Sequence, residues 1–194
     1  MEYIWPIVLN FGNMMDEEDF FRFCQINEMV DFERDSAGNV VVLPLSGARG
    51  GIIGAHLTWA LSSWNIDSQL GVGFGCSAGF TLPNKAVRSP DASWMTAEKW
   101  NQLSRDEKER FAPVCPDFVV ELRHNGHGLQ FLLNKMREYI DNGVQLGWLI
   151  DRFDKKAYIF RADGSVEIVG INAVLSGEKV LPGFSLDLRK LLKA

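Results

Sequence analysis

Residues 115–126, CPDFVVELRHNG, join a short apolar strand pattern to an acidic residue at its centre. Side chains alternate between the two faces of a strand, so Glu121 is expected on the face opposite Val120 and Leu122. A carboxylate inside a sheet needs a partner, because burying an uncompensated charge is costly. The stretch therefore predicts a central strand that carries a polar site on one of its faces.

Residues 89–95, SPDASWM, form a second strand pattern that begins with an acid. Asp91 follows a proline and shares a face with Ser93, opposite Trp94. If this strand lies beside that of Glu121, the two carboxylates lie close together and repel each other. A divalent cation removes that repulsion, and Mg²⁺ suits one or two carboxylates because it keeps several of its waters. Asp91 and Glu121 are therefore candidate ligands of Mg²⁺, with Mn²⁺ as an alternative ion.

Residues 128–143, GLQFLLNKMREYIDNG, show helical periodicity and end in a glycine that is typical of a helix terminus. Lys135 and Tyr139 are expected on the flank of its buried stripe. That predicted stripe consists of Leu129, Leu132, Leu133, Met136 and Ile140. A lysine beside two carboxylates and a metal ion completes a set that cleaves phosphodiester bonds, because the cations stabilise charge that develops on the phosphate.

The same residues also have a purely structural interpretation. Asp91 and Asp117 both follow a proline, as residues in turns do. Glu121 has two candidate partners for a structural ion pair, Arg123 and Lys135. Residue types alone leave the choice between a metal site and an ion pair open.

Two further motifs are incomplete. Cys115, His124 and His127 lack a fourth ligand for zinc and match no common zinc spacing. Residues 47–54, GARGGIIG, lie between a predicted strand and a predicted helix but lack the Lys-Ser/Thr of a phosphate-binding loop. Neither motif predicts a site.

The chain as a whole predicts one α/β domain over residues 1–194. Helical segments alternate with a hairpin and a run of strands, which indicates a mixed central sheet flanked by helices, with an N-terminal helix and hairpin. The predicted helices cover residues 16–30, 46–66, 96–113 and 128–143. The predicted strands cover residues 30–35, 40–45, 71–83, 86–95, 117–122, 145–151, 156–162 and 165–170.

Composition narrows the function classes. The formal net charge is −5 and the isoelectric point is about 5.2, without a run of lysine or arginine. Proteins that bind DNA mainly through its phosphates present a basic face, so a simple DNA-binding module is disfavoured. Three scattered cysteines favour a reducing compartment, and neither a signal-peptide pattern nor an apolar run of roughly 20 residues is present. We therefore expect a cytoplasmic protein without a membrane segment.

The order of these segments resembles the Uma-type family of endonucleases, a branch of the PD-(D/E)XK nuclease superfamily. The resemblance covers nearly the whole chain and implies a restriction-endonuclease-like core that binds Mg²⁺ and cuts nucleic acid. The segments that carry it are DEEDFFRFCQINE (16–28), FERDSAGNVVVLPLSG (32–47), SAGFTLPNKAVRSPDASWM (77–95), CPDFVVELR (115–123), KMREYIDNGVQLGWLID (135–151) and GEKVLPGFSLDL (177–188).

This resemblance assigns roles to individual residues. The aspartate that follows a proline in the family corresponds to Asp91, and the strand glutamate corresponds to Glu121. The superfamily lysine two residues further on is replaced here by Arg123, and in this family its role passes to a helix lysine, which is Lys135. An acid in the N-terminal hairpin, Glu33, corresponds to the family's first acidic position.

Glu28 is the alternative to Glu33 for that first position. After the strand glutamate the family continues with a serine and an aspartate, whereas this chain has His124 and His127. These histidines are candidates for supporting the phosphate or for transferring a proton.

Taken together, the residues and the resemblance predict a Mg²⁺-dependent endonuclease that acts on nucleic acid, with DNA favoured, and that forms a homodimer. The alternative is a nuclease-fold protein that has lost catalysis and serves as a homodimeric or partner-binding module. Trp59 and Trp64 lie at helical spacing and are candidates for the core or for a dimer surface.

Overall fold

A six-stranded mixed sheet lies at the centre of the computed structural model, which describes residues 6–43, 45–124 and 128–193. In chain order the strands are β1 (Ile7–Leu9), β2 (Asp31–Arg34), β3 (Val40–Leu43), β4 (Gly71–Gly75), β5 (Phe80–Thr81), β6 (Val87–Arg88), β7 (Ala92–Thr96), β8 (Phe118–Leu122), β9 (Leu146–Asp151), β10 (Lys156–Arg161), β11 (Val166–Gly170), β12 (Val174–Ser176) and β13 (Ser185–Asp187). The helices are α1 (Glu17–Ile26), α2 (Ala48–Ser68), α3 (Ala97–Gln102), α4 (Arg105–Lys108), α5 (Leu129–Asp141) and α6 (Leu188–Leu192), and a 3₁₀ turn covers Gly12–Met14.

The central sheet has the strand order β11-β10-β9-β8-β7-β4. Strands β8 and β9 run parallel and are joined through α5, as parallel neighbours require a crossover connection. Helix α5 covers one face of this sheet, and α2 with α6 lies on the other. Phe118, Val120 and Leu122 pack on the α2 side, whereas Val119 packs on the α5 side. The predicted alternation along this strand is confirmed.

The N-terminal hairpin belongs to a second, antiparallel sheet with the order β1-β3-β2-β6-β5. Residues 86–95, which the sequence predicts as one strand, divide into β6 in this small sheet and β7 in the central sheet. The division falls at Pro90, which has no backbone N–H to donate to a strand ladder. The segment that carries Asp91 is therefore a connection between the two sheets.

The inward face of α5 differs from the predicted stripe. Its buried residues are Leu132, Lys135, Met136 and Tyr139, and the other predicted apolar residues are only partly buried. The prediction that Lys135 and Tyr139 lie on the flank is wrong. Both contact carboxylates on the sheets beneath, and these acceptors offset the cost of burying the lysine ammonium and the tyrosine hydroxyl.

The C-terminal segment, for which the sequence predicts no element, forms the β12–β13 ribbon and α6. Phe184 stacks on Trp148 with ring centroids 5.7 Å apart, and it contacts Phe118 at 6.3 Å. These contacts close the core on the α2 side of the central sheet. Among the described helices, none combines the length and the apolar character of a membrane-spanning segment.

Asp117, the aspartate of the second Pro-Asp pair, has a structural role and does not belong to the candidate site. It connects the start of β8 to the start of α3. Its carboxylate accepts hydrogen bonds from the Thr96 backbone N–H at 2.9 Å and from Lys99 Nζ at 2.6 Å. Thr96 in turn caps α3, because its side chain accepts a hydrogen bond from the Lys99 backbone N–H. For Asp117 the structural interpretation is correct.

The Asp117→Ala variant is expected to lose about 1–3 kcal/mol of unfolding free energy, because the Thr96 N–H and the Lys99 ammonium lose a charged acceptor. Urea denaturation at unchanged m value measures this loss. Asp141→Ala, at an exposed position on α5, is the matched control and is expected to change stability by less than about 0.5 kcal/mol. Equal stability of the two variants would contradict the prediction.

Candidate active site

Three residues that the sequence places far apart line one cavity. Asp91, Glu121 and Lys135 border a space of ≈ 160 Å³ enclosed by the connection before β7, the end of β8 and the first turns of α5. Ser89 and His124 also line it. The structure therefore brings together the acids and the lysine that the sequence singles out.

Lys135 forms two ion pairs at once. Its Nζ lies 2.7 Å from Glu33 Oε1 on β2 and 2.7 Å from Glu121 Oε1 on β8, and all three side chains are at least 95% buried. Burial alone would lower the pKa of this lysine, but the two carboxylates outweigh burial and raise it. Lys135 is therefore a fixed cation that joins the small sheet, the central sheet and α5.

Both carboxylate oxygens of Glu33 have partners. Besides Lys135, it accepts a bond from the Ser89 backbone N–H at 2.8 Å and pairs with Arg88 Nη1 at 3.1 Å. Burial works to raise the pKa of Glu33, but Lys135 and Arg88 prevail and lower it. Glu28, the alternative candidate, is exposed after α1 and borders a different cavity.

Arg88 extends this network to α5. Its guanidinium contacts Glu138 at 2.6 Å as well as Glu33, and it is almost completely buried. Neither Arg88 nor Glu138 is among the site residues predicted from the sequence. The available signal was a charged residue in the apolar segment AVR, the same signal that marks Glu121.

Asp91 is held by the strand that carries Glu121. Its Oδ2 accepts a 2.6 Å hydrogen bond from the backbone N–H of Leu122, and its Oδ1 lies 3.2 Å from His124 Nε2. The His124 ring packs against the first turn of α2, where a Cβ on Gly50 would lie 2.8 Å from Nδ1. His127, the second histidine of interest, lies outside the described residues.

The two carboxylate oxygens of Glu121 differ in their hydrogen bonds. Its Oε1 accepts bonds from Lys135 and from the Tyr139 hydroxyl at 2.9 Å, whereas Oε2 accepts none from the residues that the structure describes. Burial raises the pKa of Glu121 to about 7, and the negative charges of Asp91 and Glu33 add to this against the opposing effect of Lys135. Lys135 alone therefore does not compensate the burial of Glu121 and the negative charges near it.

The donor set fits Mg²⁺ better than a metal that needs several protein ligands. Within the described ranges, no three His, Cys, Asp or Glu side chains gather into a metal-holding group. Mg²⁺ is held through one or two carboxylates and retains waters, whereas zinc takes at least three protein ligands. Asp91 and Glu121 meet the first requirement, and Glu121 Oε2 is an oxygen without a competing donor among the described residues.

Arg123, at the position of the superfamily lysine, takes part in a different pair. Its Nη1 lies 2.8 Å from Asp151 Oδ2 at the end of β9. The alternative of a Glu121–Arg123 ion pair is therefore wrong, and the partner of Glu121 is Lys135. The buried cation beside Glu121 is therefore Lys135 of α5, whereas Arg123 pairs with Asp151.

Comparisons with known proteins agree with this architecture. A crystal structure from Anabaena variabilis ATCC 29413, described as "a putative nuclease belonging to DUF820", superimposes with a TM-score of 0.71. The two sequences are 17% identical, and the match covers 84% of this chain and 89% of the other. No curated protein matches. The model of the Uma2 family, described as "Putative restriction endonuclease", matches residues 17–189. With that match spanning most of its length, the chain belongs to the Uma2 family of restriction-endonuclease-like proteins.

Proposed function

We propose that this protein is a Mg²⁺-dependent endonuclease that hydrolyses phosphodiester bonds of DNA. The observation that carries the proposal is the meeting of Asp91, Glu121 and Lys135 at one cavity, from three separate segments. Membership of the Uma2 family supports a nuclease. We also propose that residues 1–194 act as a single domain in the cytoplasm, in keeping with cysteines that are free in the fold.

Asp91 and Glu121 would hold the metal ion. When bound, Mg²⁺ supplies a water of lowered pKa and a positive charge for the phosphate. Asp91 is fixed for this task by the Leu122 N–H and by His124, which set the orientation of its carboxylate. Glu121 is fixed by Lys135 and Tyr139, which leave Oε2 available.

Lys135 serves as a cation and not as a proton acceptor. Its raised pKa keeps it protonated at neutral pH, because Glu121 and Glu33 outweigh its burial. The ammonium orients Glu121 and adds positive charge at the cavity, where negative charge develops on the phosphate. Glu33 contacts Lys135 and Arg88 rather than the cavity, so we assign it as a positioning residue.

A cleavage assay tests the proposal directly. The purified protein is incubated with supercoiled and linear DNA in Mg²⁺, in Mn²⁺ and in EDTA, and calorimetry measures metal binding by the same preparation. We expect metal-dependent nicking and millimolar or tighter binding of the ion. A folded protein that neither binds the ion nor cuts DNA would contradict the proposal and favour the non-catalytic, partner-binding alternative.

The metal-free protein is expected to lose stability as the pH rises from about 5 to about 8. In this window the folded protein retains a proton on Glu121, whose pKa is raised to about 7 by burial and by nearby carboxylates. The unfolded chain has already released that proton, so a higher pH favours unfolding. The full contribution of Glu121 is on the order of 3 kcal/mol.

Urea denaturation in EDTA across this pH range measures how the unfolding free energy changes with pH. Glu121→Gln removes the titrating group and is expected to reduce this pH dependence. Glu33 does not obscure the result, because its lowered pKa makes its contribution change only in more acidic solution. An unchanged pH dependence in the Gln variant would assign the effect to another group.

A further inference from the structure

Helix α2 exposes an apolar stripe on the face that points away from the core. Ile52 is 47% exposed, Trp59 is 71% exposed and Ile66 is 70% exposed. These residues repeat at heptad spacing, so they lie along one line of the helix surface. The opposite face is buried against the central sheet through Ile53 and Leu57. A large tryptophan exposed between two isoleucines is typical of a protein contact surface.

The charges of α2 lie only at its ends. Arg49 is in the first turn and Asp67 in the last, and the residues between them include no Asp, Glu, Lys or Arg. At 3.6 residues per turn, the two charged positions are separated by about five full turns and so share one flank of the helix. Neither forms an ion pair with any residue in the described part of the chain. Arg49 instead donates to the Leu192 carbonyl at 3.2 Å.

We propose that α2 pairs antiparallel with α2 of a second copy of this chain. A two-fold axis beside Trp59 brings this residue against the partner's Trp59 and places Ile52 against the partner's Ile66. The same axis places Arg49 beside the partner's Asp67, and this contact occurs twice. A parallel pairing would keep Arg49 and the partner's Asp67 at opposite ends of the interface, so only the antiparallel arrangement gives the opposite charges a contact.

The charges of α2 also favour a second copy of the chain over other possible partners for this surface. A membrane surface attracts a helix whose polar flank is rich in lysine and arginine, and α2 carries one arginine. An unrelated helix would need an acidic and a basic residue at matching ends, which α2 itself already provides. The surface is therefore complementary to itself, as a two-fold interface requires.

The interface is expected to be of modest size. Helix α2 has 21 residues and is about 32 Å long at 1.5 Å per residue, and the proposed contacts from Arg49 to Asp67 span about 27 Å of it. A single helix pair falls at the lower end of the range for specific interfaces, so the dimer should dissociate on dilution, with a dissociation constant in the micromolar range. This inference does not depend on the proposed nuclease activity.

Sedimentation velocity of the full chain from about 1 to about 200 µM tests the pairing. We expect the wild type to shift from monomer to dimer across this range. Trp59→Glu is expected to raise the dissociation constant at least about a hundredfold, since a charge replaces the central contact. Ile168→Glu is the matched control, because Ile168 is 60% exposed on β11, away from α2. A monomeric wild type, or equal weakening by the two variants, overturns the proposal.

Charge reversal tests the register. Arg49→Asp and Asp67→Arg each create two like-charge contacts and are expected to weaken self-association about tenfold. An equimolar mixture of these two variants restores both opposite-charge contacts, so the mixture is expected to dimerise as the wild type does. A mixture that associates no better than either variant alone overturns the antiparallel arrangement.

Discussion

Replacing Asp91 or Glu121 by alanine is expected to reduce Mg²⁺-dependent DNA cleavage by about a thousandfold or more, because each change removes half of the proposed metal-binding carboxylates. The Asp91 carboxylate is partly open to the cavity and accepts from the Leu122 N–H, so its loss removes charge without opening the core. Single-turnover cleavage over a Mg²⁺ titration measures the effect. A loss of affinity for the ion should accompany it in calorimetry.

Asp117→Ala is the matched control for these variants. Asp117 also follows a proline, but its carboxylate bonds Thr96 and Lys99 away from the cavity. Below its melting transition this variant is expected to cleave DNA at the wild-type rate. Cleavage that survives in Asp91→Ala and Glu121→Ala, or that is lost equally in Asp117→Ala, would show that the proposed metal site is wrong.

Lys135→Met is expected to lower the unfolding free energy by about 3–5 kcal/mol, the range for breaking a buried ion pair from one side. Methionine fills the space of the aliphatic chain but leaves the buried carboxylates of Glu33 and Glu121 without their shared cation. Urea denaturation at neutral pH measures the loss. Because the loss comes from uncompensated charge, adding Glu121→Gln should recover part of it.

The matched control is Lys179→Met, at an exposed position in the segment between β12 and β13. It is expected to change stability by less than about 0.5 kcal/mol. Full stability of Lys135→Met, or no recovery with Glu121→Gln, would mean that the two carboxylates do not depend on the lysine. If the double variant Lys135→Met/Glu121→Gln is folded but does not cleave DNA, the loss of activity comes from the missing side chains and not from unfolding.

Sequence patterns predicted those parts of the fold that depend on local periodicity. The alternation in residues 118–122 and the helical spacing in residues 129–141 are properties of single segments, and both are present in the structure. The position of Glu121 on the polar face of its strand follows from the same alternation.

Other features depend on which segments meet, and no local pattern specifies that. Lys135 lies at the centre of the α5 face because Glu33 and Glu121 face it from two sheets. The two Pro-Asp pairs look alike in sequence, yet Asp117 bonds a helix cap whereas Asp91 borders the cavity. Arg88 gains its role from Glu138, a residue that only the folding of α5 brings near.

Lys135 fastens the small sheet to the central sheet, because one of its two carboxylate partners stands on β2 and the other on β8. If the N-terminal hairpin detaches, Glu33 leaves and the lysine remains with Glu121 alone, so the geometry of the cavity changes while the central sheet stays folded. Detachment of the hairpin is therefore expected to disturb the proposed active site directly, because it removes one of the two carboxylates that hold Lys135.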